Sequence, residues 1–232
     1  MHHHFSSPHL AEALLPYAFD EQDGAHDVAH LLRVWRNVEK IVRYEGGDLE
    51  ILLAATLLHD CIWIDKGSPQ RRSASRLAAA KARRVLDGKS WKHERIEQVC
   101  HAIEAHSFSA GIAPVSLEAR VLQDADRLDA MGFVGIARCF YVAGMRRISI
   151  CDALDPAADD RPLDDAAYAL DHFQTKLLKL AGGFCTAAGA RMAAERTERL
   201  QAIFFQGCSR KSSDIKRPGI SIPPFASVAI AL

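Results

Sequence analysis

An all-α fold is the expectation from this sequence: one helical domain over residues 10–207, followed by an irregular tail over 208–232. Three observations support it. Apolar residues recur at spacings of three and four along most of the chain, the period of a helix face turned to a core. The two-residue alternation of a strand runs over no stretch of useful length. The composition is ordinary for a folded protein: 232 residues, 49% hydrophobic and 25% charged, enough to bury a sizeable core.

The elements follow from local signals. From Asp27 to Tyr44, the side chains of Val28, Leu31, Leu32, Trp35, Val38, Ile41 and Val42 share one helix face. Glu45-Gly46-Gly47-Asp48 stops that helix and caps the next. Leu49 to Ile62 is apolar nearly all round, the mark of a central, buried helix. Gly67 and Pro69 break the chain between Asp65 and Gln70. Ser73 to Leu86 is Ala-rich and amphipathic, and Asp87-Gly88 ends it. Ser90 is the expected cap of a helix reaching about Ala105, with Ser107 to Pro114 as a loop. Two helices follow, Leu117 to Met131 and Phe133 to Met145, with a tight joint at Gly132. Cys151 to Asp165 is acidic and contains proline, so a surface loop is expected. Leu163 to Leu180 and Gly189 to Phe205 read as antiparallel helices joined by a turn at Gly182-Gly183. Beyond Gly207 the chain is basic and Ser-containing, with Pro218, Pro223 and Pro224, and loses the helical period.

Lys and Arg together number 29, as do Asp and Glu, so the formal net charge is zero with histidine neutral. Proteins that bind nucleic acid non-specifically carry a positive surplus, and none is present. The longest largely apolar run, Ile51–Leu58, is too short to span a bilayer. No basic segment leading into an apolar stretch opens the chain, so neither a membrane anchor nor a secretory signal is expected. Cys61, Cys100, Cys139, Cys151, Cys185 and Cys208 are scattered, with no CxxC pair. They read as separate thiols of a reducing compartment, the cytoplasm.

Eleven histidines are the compositional oddity. His2, His3, His4 and His9 sit near a chain end that is expected to fray, where no fixed metal geometry forms. His93 and His172 lie in charged or mixed stretches and read as surface residues. Three short segments carry the chemistry. His59-Asp60 ends an apolar helix, where both are costly unless partnered. Read alone, His59 could equally cap helix carbonyls with Asp60 in solvent. His26 and His30 are four apart, a spacing that places two side chains on one helix face. A lone core-facing histidine is more often a hydrogen-bonded buried imidazole. Asp124, Asp126 and Asp129 surround Arg127 on an otherwise apolar helix, and the plain alternative there is a surface Asp–Arg pair.

Taken in order, these segments resemble the HD-domain superfamily of metal-dependent phosphohydrolases, whose signature is H…HD…D. His30-Leu31-Leu32-Arg33-Val34-Trp35 is similar to that family's HxxRV segment. Ala55-Thr56-Leu57-Leu58-His59-Asp60 is similar to its AxLLHD helix. Val121 to Gly132 resembles the DADRLDAxG segment of its small single-domain bacterial members, and His101 to Ser109 a further element of that subgroup. The resemblance covers about residues 20–145. It implies an HD-type helical bundle with His30, His59, Asp60 and Asp126 as metal ligands. Arg33-Val34 after His30 and Arg127-Leu128 after Asp126 favour those two over His26 and Asp124.

The implied ligand set suits one divalent ion, Mn²⁺ or Mg²⁺ first, with Fe²⁺, Co²⁺, Ni²⁺ or Zn²⁺ also compatible. Four protein ligands leave open positions, as a catalytic site needs. A metal there acidifies water and neutralises phosphoryl charge. Resemblance and position make Lys66 a candidate for holding substrate phosphate and Asp65 a candidate base or water-orienting group, against the equal alternative of a solvated pair. Arg33 and Arg127 are further candidates for phosphate contact. Some nucleotidase relatives carry an acid three positions after the HD aspartate. Here that position is Trp63, so that role does not transfer. His101 and His106 stand roughly 140° apart on a helix, so at most one of them is expected to face the site. His106, at the helix end, is the catalytic candidate. The implied activity is hydrolysis of a nucleotide or related small phosphate ester by metal-activated water. Cyclic-nucleotide or guanosine-tetraphosphate hydrolysis, and a non-catalytic metal- or nucleotide-binding module, are the alternatives. The implied partner is thus a small molecule, with no nucleic acid and no membrane, and a homodimer is compatible with it.

Overall fold

A computed structural model of the chain describes residues 2–20, 27–64, 68–107 and 110–208. His26, Asp65, Lys66 and the tail from 209 onward lie outside the described residues. The α-helices are α1 Pro8–Leu14, α2 Val28–Glu45, α3 Leu49–Leu58, α4 Ala74–Asp87, α5 His93–His106, α6 Leu117–Asp129, α7 Gly132–Arg146, α8 Asp171–Thr175 and α9 Ala187–Cys208. Among the described residues there is no strand, only an isolated bridge between Ser149 and Tyr168. No single helix among them is long and apolar enough to cross a membrane.

Side-chain caps set the starts of three central helices. The Asp27 carboxylate accepts the His30 amide at 2.9 Å and opens α2. Asp48 accepts the Glu50 and Ile51 amides and opens α3, and Ser116 does the same for α6 through Ala119. Such caps satisfy amides that have no partner inside the helix. Gly46, at φ 78°, ends α2 in a backbone region that favours glycine. From Ile51 to Leu58, α3 is buried on every side. Around it pack α1, α2, α5 and α6, α4 lies on α5, and α9 covers α2, α6 and α7. One large core cluster runs from Phe5 to Ala193. A smaller one gathers Phe173, Leu177, Leu200 and Phe204, with Phe140 against it.

The structure departs from the sequence expectations at four places. The N-terminal segment is not frayed: His2–His4 form a 3₁₀ turn, Phe5 is buried against Trp35, and α1 adds Leu10, Ala11 and Leu14 to the core. The central helix stops at Leu58, so His59 and Asp60 leave it in a turn. Ser90 does not cap α5; it sits at φ 58° and its amide closes a turn onto Asp87. The helix expected over 163–180 breaks into turns, α8 and a 3₁₀ stretch at Leu177–Gly183. Asp164 accepts the amides of Ala166 and Ala167, and buried Asp171 accepts Arg161 and the Asp164 amide. These short-range bonds compete with the helical ladder.

Candidate metal centre

Four helices deliver the site. His30 sits in the first turn of α2 and is 1% exposed. His59 and Asp60 follow the last residue of α3, where the helix end turns both side chains inward. Asp126 comes from α6, and His106 closes α5. His30 Nε2 lies 3.3 Å from His59 Nε2, 3.7 Å from Asp60 Oδ2 and 3.5 Å from Asp126 Oδ1. His59 Nε2 lies 3.6 Å and 3.8 Å from the same two carboxylate oxygens. Ligand atoms about 2.1 Å from one ion stand about 3.0–3.6 Å apart at neighbouring positions and about 4.2 Å apart across it, so this spacing fits a shared cation.

The outer hydrogen bonds fix which atoms are offered. His59 Nδ1 is 2.8 Å from the Thr56 carbonyl, which can only accept, so Nδ1 carries the hydrogen. His30 Nδ1 meets the Asp129 carboxylate at 2.8 Å in the same way. In the neutral rings both Nε2 lone pairs then face each other, a repulsive arrangement that a cation between them relieves. The donor set of two imidazole nitrogens and two carboxylate oxygens therefore fits a divalent metal.

Electrostatics point the same way. Burial pushes the His59 imidazolium down, against the pull of Asp60 and Asp126. Burial also opposes the charge on Asp60, but His59, His106 and His30 outweigh it and hold the carboxyl well below the usual range. His106 donates from Nδ1 to the Ile103 carbonyl at 2.6 Å and turns Nε2 to within 3.7 Å of Asp60 Oδ1. Its burial is outweighed by Asp60 and Asp126, so its proton is held more firmly than usual. The His59 and His106 rings meet edge to face at 4.9 Å.

The other expected residues are placed as follows. Arg33 clamps Asp129 through Nε at 2.7 Å and Nη2 at 3.1 Å. Arg127 donates to the Gly183 carbonyl and lies over the Phe184 ring. His101 Nε2 accepts the Val115 amide at 3.1 Å. Asp124, fully buried, accepts the Cys185 and Thr186 amides and the Thr186 hydroxyl, which ties α6 to the start of α9. His93 is exposed beside Glu97, and His172 meets Asp165 at 3.0 Å.

Sequence reasoning left two residues without a role. Asp129 accepts His30, Arg33 and Arg138 and is 2% exposed. Burial opposes its charge, yet these three partners hold its carboxyl well below the usual range. Arg138 Nη1 reaches it at 3.1 Å. The available signal was spacing: Asp129 is one turn beyond Asp126, and Arg33 one turn beyond His30.

A family profile described as HD domain matches residues 28–131. The Bacillus subtilis protein YpgQ is 34% identical over 181 residues, 76% of this chain and 80% of that protein. Among solved structures, an HD-superfamily hydrolase from Bacillus thuringiensis is similar at TM-score 0.65 and 28% identity, over 85% of this chain and 94% of its own. The structure of B. subtilis YpgQ in complex with ADP is similar at TM-score 0.61 and 31% identity, over 85% of this chain and 88% of its own.

Proposed function

Because this chain belongs to the HD-domain superfamily, we propose that it is a metal-dependent phosphohydrolase acting on nucleotides or related small phosphate esters. The observation that carries the reading is the convergence of His30, His59, Asp60 and Asp126 within 3.3–3.8 Å of His30 Nε2 or His59 Nε2. The hydrolase description of the B. thuringiensis relative supports the reaction class, and the ADP complex of YpgQ supports a nucleotide as ligand.

In this reading the four residues hold one divalent cation, Mn²⁺ or Mg²⁺ first. The cation, when bound, supplies Lewis acidity to water and to a phosphoryl oxygen. Asp129 fixes the His30 ring, and the Thr56 carbonyl fixes the His59 ring, so both Nε2 atoms stay aimed inward. His106 holds a proton beside Asp60 and can release it to a leaving oxygen. Asp65 orients water or takes its proton, and Lys66 holds phosphate; both are tested by substitution. Arg33, held by Asp129, and Arg127, which donates to the Gly183 carbonyl, are the further candidates for phosphate contact. Five free cysteines among the described residues suit the reducing cytoplasm.

Purified protein is assayed with Mn²⁺ or Mg²⁺ against a panel of nucleotides and phosphomonoesters. Hydrolysis that stops with a chelator and returns with metal is the expected result. His59→Ala and Asp60→Ala variants should each lose the bound ion in metal analysis. An absence of metal-dependent turnover across the panel overturns the reading.

A further inference from the structure

A cleft of about 360 Å³ opens between α2, the start of α7 and α9. Arg33, Arg36 and Lys40 of α2 and Arg196 and Arg199 of α9 line it. Its one lining acid, Asp129, is buried and already engaged by His30, Arg33 and Arg138. The chain as a whole has balanced charge, so five cations against one acid make a local concentration of positive potential.

Two of the cations are held in place before any ligand arrives. Arg33 is clamped by Asp129, and Arg196 donates to the Leu128 carbonyl and, at 2.8 Å, to Asn37 Oδ1. Burial pushes the Arg196 guanidinium below its usual basicity, and Arg199 adds to the push against the pull of Asp129 and Glu195. An anion in the cleft would relieve that cost. No side chain caps α7, and Gly132, Phe133 and Val134 of its first turn line the same space. The positive end of a 15-residue helix thus adds to the cations.

The extent of the charge suggests the size of the ligand. Arg33, Arg36 and Lys40 share one face of α2 and extend over about 10 Å of helix, longer than a single phosphate group. Phe133, 79% exposed, and Ile203 add an apolar rim.

We propose that this cleft is a second ligand site, distinct from the metal centre, for a small anion carrying two or more linked phosphates. Arg36, Lys40, Arg196 and Arg199 bind the phosphates. The site does not depend on the metal-centre chemistry.

The test is calorimetric titration of tripolyphosphate into the full chain stripped of metal. The same titration is run on the Arg36→Glu/Lys40→Glu double variant, on Arg199→Gln and on His59→Ala. The metal-free chain should bind one tripolyphosphate, more tightly than inorganic phosphate. The double variant should weaken binding by about tenfold or more, and Arg199→Gln by a few fold, since each removes a charge-assisted contact. His59→Ala should leave it unchanged. Circular dichroism checks that each variant keeps its helix; if the double variant does not, the Arg199→Gln comparison decides. The proposal is overturned by a lack of saturable binding to the metal-free chain. Unchanged affinity in the folded charge variants would also overturn it. So would loss of binding in His59→Ala, which would place the anion at the metal centre. No arm reads turnover, so failure here leaves the phosphohydrolase reading standing, and failure of turnover leaves this one standing.

Discussion

Asp129 ties the candidate metal centre to its surroundings. Its carboxylate takes the Nδ1 hydrogen of His30 on one side and two arginines on the other. A carboxylate in that position orients the imidazole and raises its basicity as a ligand. Asp129→Asn keeps the shape and removes the charge. It is expected to weaken Mn²⁺ binding about 10- to 100-fold, read by calorimetry, with the helix content retained. Asp124 and Asp126 are two residues apart and separate cleanly. Asp124 is buried and fully used by Cys185 and Thr186, and its burial raises its carboxyl above the usual range. Asp124→Ala is expected to cost about 2–3 kcal/mol in urea unfolding and to leave metal affinity unchanged, because it strands buried donors far more than it touches the site. Asp126→Ala should do the reverse. The sequence offered both aspartates; which one faces His30 was decided by the rotation of α6 against α2.

At the scale of elements, the joint between α6 and α7 places Asp126 and Asp129. The two helices meet at 66° across Ala130 and Met131. Gly132 takes φ +67°, and a Cβ at Gly135 would stand 2.2 Å from the Ala130 carbonyl. The backbone there cannot retreat without opening the joint. Gly135→Ala is therefore expected to cost about 2 kcal/mol or more in urea unfolding and to weaken metal binding with it. The tight joint at Gly132 was legible in the sequence, because glycine between two periodic segments marks a sharp turn. The break of the expected 163–180 helix was not. Its cause is the burial of Asp171 under Arg161, a contact ten residues apart along the chain that periodicity cannot register.

For the whole molecule, two ion pairs fasten the periphery to the core. Arg161 holds the Asp171 carboxyl below its usual range, and Arg95 does the same for Asp48 at the cap of α3. A carboxyl whose folded pKa is depressed contributes stability above its ordinary pKa, about 3.9, and loses it as pH falls through the folded value. Urea unfolding followed from about pH 6 to about pH 3 should show stability falling with acid, with a shallower fall in Asp171→Asn. By itself the sequence determined the all-α class and the order of the main helices, and through its family resemblance it offered His30, His59-Asp60 and Asp126 as candidate ligands. Helical periodicity and motif spacing are local, and each is written within one or two turns. The tertiary structure alone decided that His106 reaches Asp60, that Asp129 backs His30 and that Arg127 holds Gly183. It also gathered five cations from α2 and α9 into one cleft. Each of these depends on how one helix is rotated and docked against another. That angle is set by the packing of the whole core, which no short stretch of sequence contains.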